Sequence, residues 1–151
     1  MTRTLAVAMA TLMLLVSATL AAPGGALLDK KVSLAEKDPG YKPGDGVDKL
    51  TEMFAKEIFK AITDNPHKVY TLKLKKGDKV VIEQKSDDFD SVVIVESSKK
   101  TVLAFNDDDP TRKTLDSRLE FTAPEDDEYR IIATCLFKKY GNFQLTVNKA
   151  K

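Results

Sequence analysis

The apolar spacing of this chain changes once, and that change limits what it can fold into. Residues 47–63 repeat apolar side chains at intervals of three and four, whereas from His67 onward the interval is two. The first stretch, VDKLTEMFAKEIFKAIT, sets Val47, Leu50, Phe54, Ile58, Ala61 and Ile62 on one stripe. It predicts an amphipathic helix over 47–65. Asp48 falls in the first turn, where negative charge suits the helix dipole. Asn65-Pro66 ends the run, because a residue before proline is biased out of helical geometry. The stripe is expected to cover the edge or an end of a sheet.

The remainder reads as strands. VYTLKLKK and KVVIEQKS flank Gly77-Asp78, which predicts a hairpin. SVVIVESS and TVLAF follow, joined by a polar turn at 97–100. After NDDDPTRKTLD come SRLEFT, EYRIIATCLF and NFQLTVNK. Lys31 to Ala35 adds a short edge strand. These runs predict an all-β, antiparallel sandwich of seven or eight strands, preceded by one amphipathic helix. A parallel sheet would need crossover helices between strands, and the sequence offers none there. Alternation points Tyr70, Leu72, Leu74, Val80, Ile82, Val93 and Val95 inward. Leu119, Phe121, Tyr129, Ile131, Ala133, Phe143, Leu145 and Val147 do the same in the later strands. Cys135 continues the Tyr129 series and reads as a small buried hydrophobe.

Residues 1–22, MTRTLAVAMATLMLLVSATLAA, have a single charge, Arg3, then an apolar stretch from Leu5 to Val16 and small residues after it. That is the layout of a secretory signal peptide, and the stretch is short for a membrane span. Residues 23–46, rich in Gly, Pro and charge, predict a mostly irregular leader. The expected product is secreted or periplasmic, with no membrane insertion after signal removal.

Composition then excludes several activities. The chain carries 24 Lys plus Arg against 23 Asp plus Glu. Such balance gives no general attraction to nucleic acid. One His and one Cys cannot build a Cys/His metal site within one chain. A Ser-His-Asp arrangement would have to use His67. No Gly-x-Ser-x-Gly elbow, Gly-rich phosphate loop or His-Glu-x-x-His helix is present. The expectation is a protein that is not an enzyme. The absence of Trp disfavours a sugar-binding platform and leaves Tyr41 and Tyr140 as candidate exposed aromatics.

One constellation follows from topology. If strands 90–96 and 101–105 form an antiparallel pair, the segments Asp87-Asp88-Phe89-Asp90 and Asn106-Asp107-Asp108-Asp109 meet at one end. Asp116 and Ser117 start from that end as well if the next strand is antiparallel. Hard oxygen ligands at this density suit Ca²⁺. The candidate ligands are Asp88, Asp90, Asn106, Asp107, Asp108 and Asp109, and Ca²⁺ is the one cofactor they imply. The competing reading has the same side chains capping turns, with Lys85, Arg112, Lys113, Lys138 and Lys139 as counter-charges. In that reading Asp90 accepts N–H groups from the NDDD loop and ties the two loops together.

The blocks VYTLKLKKGDKVVIEQKS, DDFDSVVIVESS, FNDDD, SRLEFTAPEDDEYRIIAT and YGNFQLTV, in that order, resemble the bacterial pre-peptidase C-terminal domain. The resemblance runs from about His67 to Val147 and makes 66–151 the domain. Glu128 stands where the family usually has Gly before the corner Tyr129, and Pro110 where Gly often follows the acidic loop. Both substitutions change turn chemistry. The resemblance implies a jelly-roll-like β-sandwich without catalytic residues, of the kind that accompanies secreted peptidases and in some cases binds calcium. The expected function is an exported binding module for a protein or a cell-envelope polymer. The alternative is a secretion-assisting or chaperone-like domain acting with a separate secreted peptidase or other enzyme.

Overall fold

The computed structural model describes residues 25–47, 55–109 and 111–150. The proposed signal peptide lies outside them. So do Asp48, Leu50 and Phe54 of the helical stripe.

Eight strands and one helix run in chain order among the described residues: β1 (Leu28–Leu34), α1 (Ala55–Ile62), β2 (Lys68–Leu74), β3 (Lys79–Lys85), β4 (Ser91–Glu96), β5 (Val102–Asn106), β6 (Ser117–Thr122), β7 (Asp127–Cys135) and β8 (Gly141–Lys149). They form two four-stranded sheets, β1-β8-β3-β6 and β2-β7-β4-β5. Every strand pairing in both is antiparallel. This is an all-β sandwich, as the alternation predicts.

The sheets face each other across one apolar core. Val80, Ile82, Val93, Val95, Tyr129, Ile131, Ala133, Cys135, Leu145 and Val147 are buried there, together with Leu119, Phe121 and Phe143. These are the residues that a period of two assigns inward. Tyr70 and Leu72 pack against the core but stay half-buried, because β2 is an edge strand.

Four expectations need correction. The runs flanking Gly77 are not a hairpin: β2 pairs with β7, and β3 with β6 and β8. The turn itself forms, with Asp78 N–H donating to the Lys75 carbonyl at 2.9 Å and Gly77 at φ 87°. The next rungs are taken by Ala123, which accepts from Gly77 N and donates to the Asp78 carbonyl. That contact steers the chain onto β6 and carries it from one sheet to the other.

The helix, in turn, covers a sheet face rather than an edge or an end. Phe59 and Ile62 of α1 pack with Val92 and Ile94 of β4, Val102 and Phe105 of β5, and Ile132 of β7 in a second apolar cluster. This explains why all six residues of β4 are buried. A strand covered on both faces loses its polar alternation, and SVVIVE shows that loss.

The leader is also more ordered than its composition suggests. β1 runs Leu28–Leu34 and pairs along its length with β8. Residues 39–47 then strap the second sheet. Tyr41 N–H donates to the Asn65 carbonyl, and Val102 N–H to the Asp45 carbonyl. Tyr41 is only 2% exposed and so is not a surface aromatic.

Candidate functional site

The loops β3–β4, β5–β6 and β7–β8 meet at one end of the sandwich. Ser91 pairs with Cys135, and Ser91 N–H donates to the Leu115 carbonyl. Ser117 N–H donates to Ser91 Oγ at 2.8 Å. Topology therefore gathers the acidic segments as the sequence suggests, but the side chains take separate partners.

Asp88 Oδ2 accepts Asn142 N–H at 2.7 Å, lying over Gly141, where an added Cβ would collide with it. Asn106 bridges strands: its Nδ2 donates to the Arg118 carbonyl at 2.8 Å, and its Oδ1 accepts Asp108 N–H at 3.0 Å. Asp109 is buried, accepts both Thr111 N–H and Thr111 Oγ–H, and lies 3.5 Å from Arg112 Nε. The Thr111 hydroxyl, chiefly, holds its carboxyl below the usual range. Asp116 accepts Ser86 N–H at 3.2 Å.

Asp90 behaves differently. Its Oδ1 is buried and has no hydrogen-bond partner among the described residues. Burial first, then the charges of Asp108 and Asp107, push its carboxyl up to about 6. Asp108 is raised by burial and by Asp107. The Asp90 side chain does not tie the loops together; its backbone does, since Leu136 N–H donates to the Asp90 carbonyl at 2.9 Å. None of the lysines offered as counter-charges figures among the influences on Asp90.

These positions decide how well Ca²⁺ fits. An ion of that kind takes six to eight oxygens. Asp88, Asn106 and Asp109 each already accept a separate protein donor. Among the described residues, no three His, Cys, Asp or Glu side chains are arranged to hold a metal ion. As placed, the six candidate ligands do not fit one coordination sphere.

The same end carries a feature that sequence reasoning half anticipates: Tyr140 is exposed as expected, and Phe137 is exposed beside it. β7 stops at Cys135, so Phe137 lies outside the strand that the apolar run IIATCLF suggests. Phe137 is 73% exposed and Tyr140 is 41% exposed, with Lys138 and Lys139 between them. Phe137 and Lys138 both take left-handed backbone conformations, at φ 56° and 48°. Such conformations cost non-glycine residues energy and persist where neighbours fix them. Here the fixing contacts are Leu136 N–H on the Asp90 carbonyl and Cys135 Sγ on the Lys139 carbonyl at 3.2 Å. Cys135 itself is buried, and that burial raises its thiol pKa, which leaves it a packing residue. The sequence signs of the turn are the charge pair and the glycine inside LFKKYG.

Known structures share this architecture. The pre-peptidase C-terminal domain of a collagenase from Bacillus anthracis matches at a TM-score of 0.52 and 12% identity, over 80% of this chain and 88% of that one. This chain has the fold of a pre-peptidase C-terminal domain. A second match is PliG of Aeromonas hydrophila, a periplasmic lysozyme inhibitor of g-type lysozyme. Its TM-score is 0.52 at 14% identity, over 85% of this chain and 90% of that one. No family model and no curated protein matches the sequence. Among the described residues, no helix is long and apolar enough to cross a membrane.

Proposed function

We propose that this chain is an exported, non-catalytic module that binds a protein partner through the β7–β8 turn. The observation that carries this reading is Phe137, an aromatic ring 73% exposed on a turn whose backbone is held in place. Aromatic residues are enriched where interfaces bury a central anchor. A fixed turn also loses little conformational freedom on binding. A single exposed ring on a fixed turn suits a concave protein site better than an extended polymer. Fold likeness to a periplasmic lysozyme inhibitor and to the pre-peptidase C-terminal domain of a collagenase supports the same reading. Ca²⁺ has no part in it.

The test is retention of an exported protein by the immobilised full chain. The unmodified chain is expected to retain a discrete partner that the Phe137→Ser/Tyr140→Ser variant does not, with both forms equally stable to urea. Equal retention by the two, or retention of nothing, overturns the proposal.

A further inference from the structure

We propose that a second site, the cleft beneath the leader strap, binds a small carboxylate. The cleft has a volume of about 200 Å³ and lies between Gly40–Lys42, His67 and the second sheet. It does not include the β7–β8 turn and does not depend on that turn's role.

Its floor is a fixed pair. Glu96, 2% exposed, accepts the Tyr41 hydroxyl on Oε1 at 2.8 Å and Arg130 Nε–H on Oε2 at 3.0 Å. Glu96 and Arg130 are also directly opposed across β4 and β7. Each carboxylate oxygen therefore already accepts one donor. The guanidinium has five N–H donors in a planar fork, and Nε accounts for one of them. Arg130 lines the cleft, its side chain 26% exposed, so the fork is oriented by a buried anion and still reached by solvent. That is the arrangement in which arginine binds planar carboxylates by two parallel hydrogen bonds.

The rim adds charge. Lys100 lines the cleft and has no ion pair among the described residues. Its backbone is fixed at φ 63° by the turn in which Lys100 N–H donates to the Ser97 carbonyl. Lys42, also on the rim, pairs with Asp64 at 2.7 Å. His67 forms one wall. Its Nδ1 is 2.7 Å from the Pro39 carbonyl, which only accepts, so the ring proton sits on Nδ1. Protonation of Nε2 would then add a donor on the other side of the ring. The groups facing His67 are the Tyr41 ring at 5.6 Å, Glu96, Arg130 and Asp38. Arg130 and Lys100 outnumber the single carboxylate on the floor, and the free volume holds only a few heavy atoms. A carboxylate from solution or from the end of a peptide chain matches this charge and shape.

His67 is the only histidine in the chain, so its ring gives an isolated proton resonance. At constant ionic strength, acetate is expected to shift that resonance saturably and to raise the ring's titration midpoint, since a bound anion favours the imidazolium. Chloride at the same ionic strength is expected to do neither. Lys100→Gln, an exposed substitution, should weaken acetate binding about threefold. Arg130→Lys keeps the charge beside Glu96, removes the fork and should weaken it further. A short peptide with a free C-terminal carboxylate is the second probe, with its amide as control. Binding of the free acid and not of the amide, together with a saturable acetate response, supports the site. A linear response to acetate, an equal response to chloride, or unchanged binding in both variants overturns it.

Discussion

The Tyr41 hydroxyl donates to Glu96 Oε1 at 2.8 Å and joins the leader to the middle of the second sheet. Both residues are 2% exposed. Burial, reinforced by the Glu96 charge, pushes the Tyr41 hydroxyl far above its ordinary pKa, so it stays a donor at any physiological pH. Removing the hydroxyl leaves a buried carboxylate oxygen without its donor. Tyr41→Phe is expected to lower stability by about 1–3 kcal/mol. The loss should appear in urea denaturation of the full chain. A change within experimental error would mean that water replaces the hydroxyl and that the strap is held by backbone bonds alone.

Asp90 makes stability depend on pH in an unusual direction for a carboxylate. Its folded value, about 6, lies above the ordinary 3.8. The folded state therefore holds the proton more tightly than the unfolded state does. The resulting stabilisation is complete below about pH 4 and is lost as pH rises through about 6. Asp90→Asn copies the neutral form at every pH. At pH 7 it is expected to be more stable than the unmodified chain by roughly 1–2 kcal/mol, after allowance for solvent screening of Asp107 and Asp108. At pH 4 the two should melt together. Thermal melts of both proteins at the two pH values would show this. An Asn variant that is less stable at pH 7 would mean that the charged carboxylate has a favourable partner.

Calcium separates the two readings of the acidic end. Asp88, Asn106 and Asp109 are held by Asn142, Arg118 and Thr111. Millimolar Ca²⁺, a range in which weak extracellular sites bind, is therefore expected to leave the melting temperature at pH 7 unchanged. EDTA should be equally without effect. A rise with Ca²⁺ that Asp90→Asn abolishes would place a cation on Asp90, Asp107 and Asp108, and the loops would then have to rearrange around it.

Much of this architecture can be read from residue order, and what cannot has physical causes. Strands with one face in water alternate, so β6 and β8 are plain from SRLEFT and NFQLTV. β4 is plain for the opposite reason, since the unbroken VVIV marks a strand covered on both faces. The partner of β2 is not legible, because a tight turn at Gly77 fixes four residues and says nothing of where the following strand docks. The burial of Tyr41 is not legible, because Gly and Pro on either side suggest an exposed loop, while it depends on Glu96, fifty-five residues away in sequence. Hairpin geometry alone is enough to bring the two acidic segments to one end, since β4 and β5 pair antiparallel. How its side chains divide among Asn142, Arg118 and Thr111 depends on loop conformations that the local sequence does not fix.

The β7–β8 turn permits one more prediction. Lys138 sits at φ 48°, in the left-handed region where a Cβ crowds the backbone, and its side chain is exposed. Glycine relieves that crowding, although it also gains freedom in the unfolded chain. The first effect is the larger where the native backbone is left-handed. Lys138→Gly is expected to raise stability by about 0.5–1 kcal/mol. It leaves the Phe137 ring in place, so retention of a partner should survive with at most the loss of one exposed charge contact. Phe137→Ser reverses the pattern, with stability nearly unchanged and retention lost. Urea melts and retention measured on the same two variants would separate a turn that is held for packing from one that is held for binding. If both variants lost stability together and neither lost retention, Phe137 would belong to the fold and the contact surface would lie elsewhere.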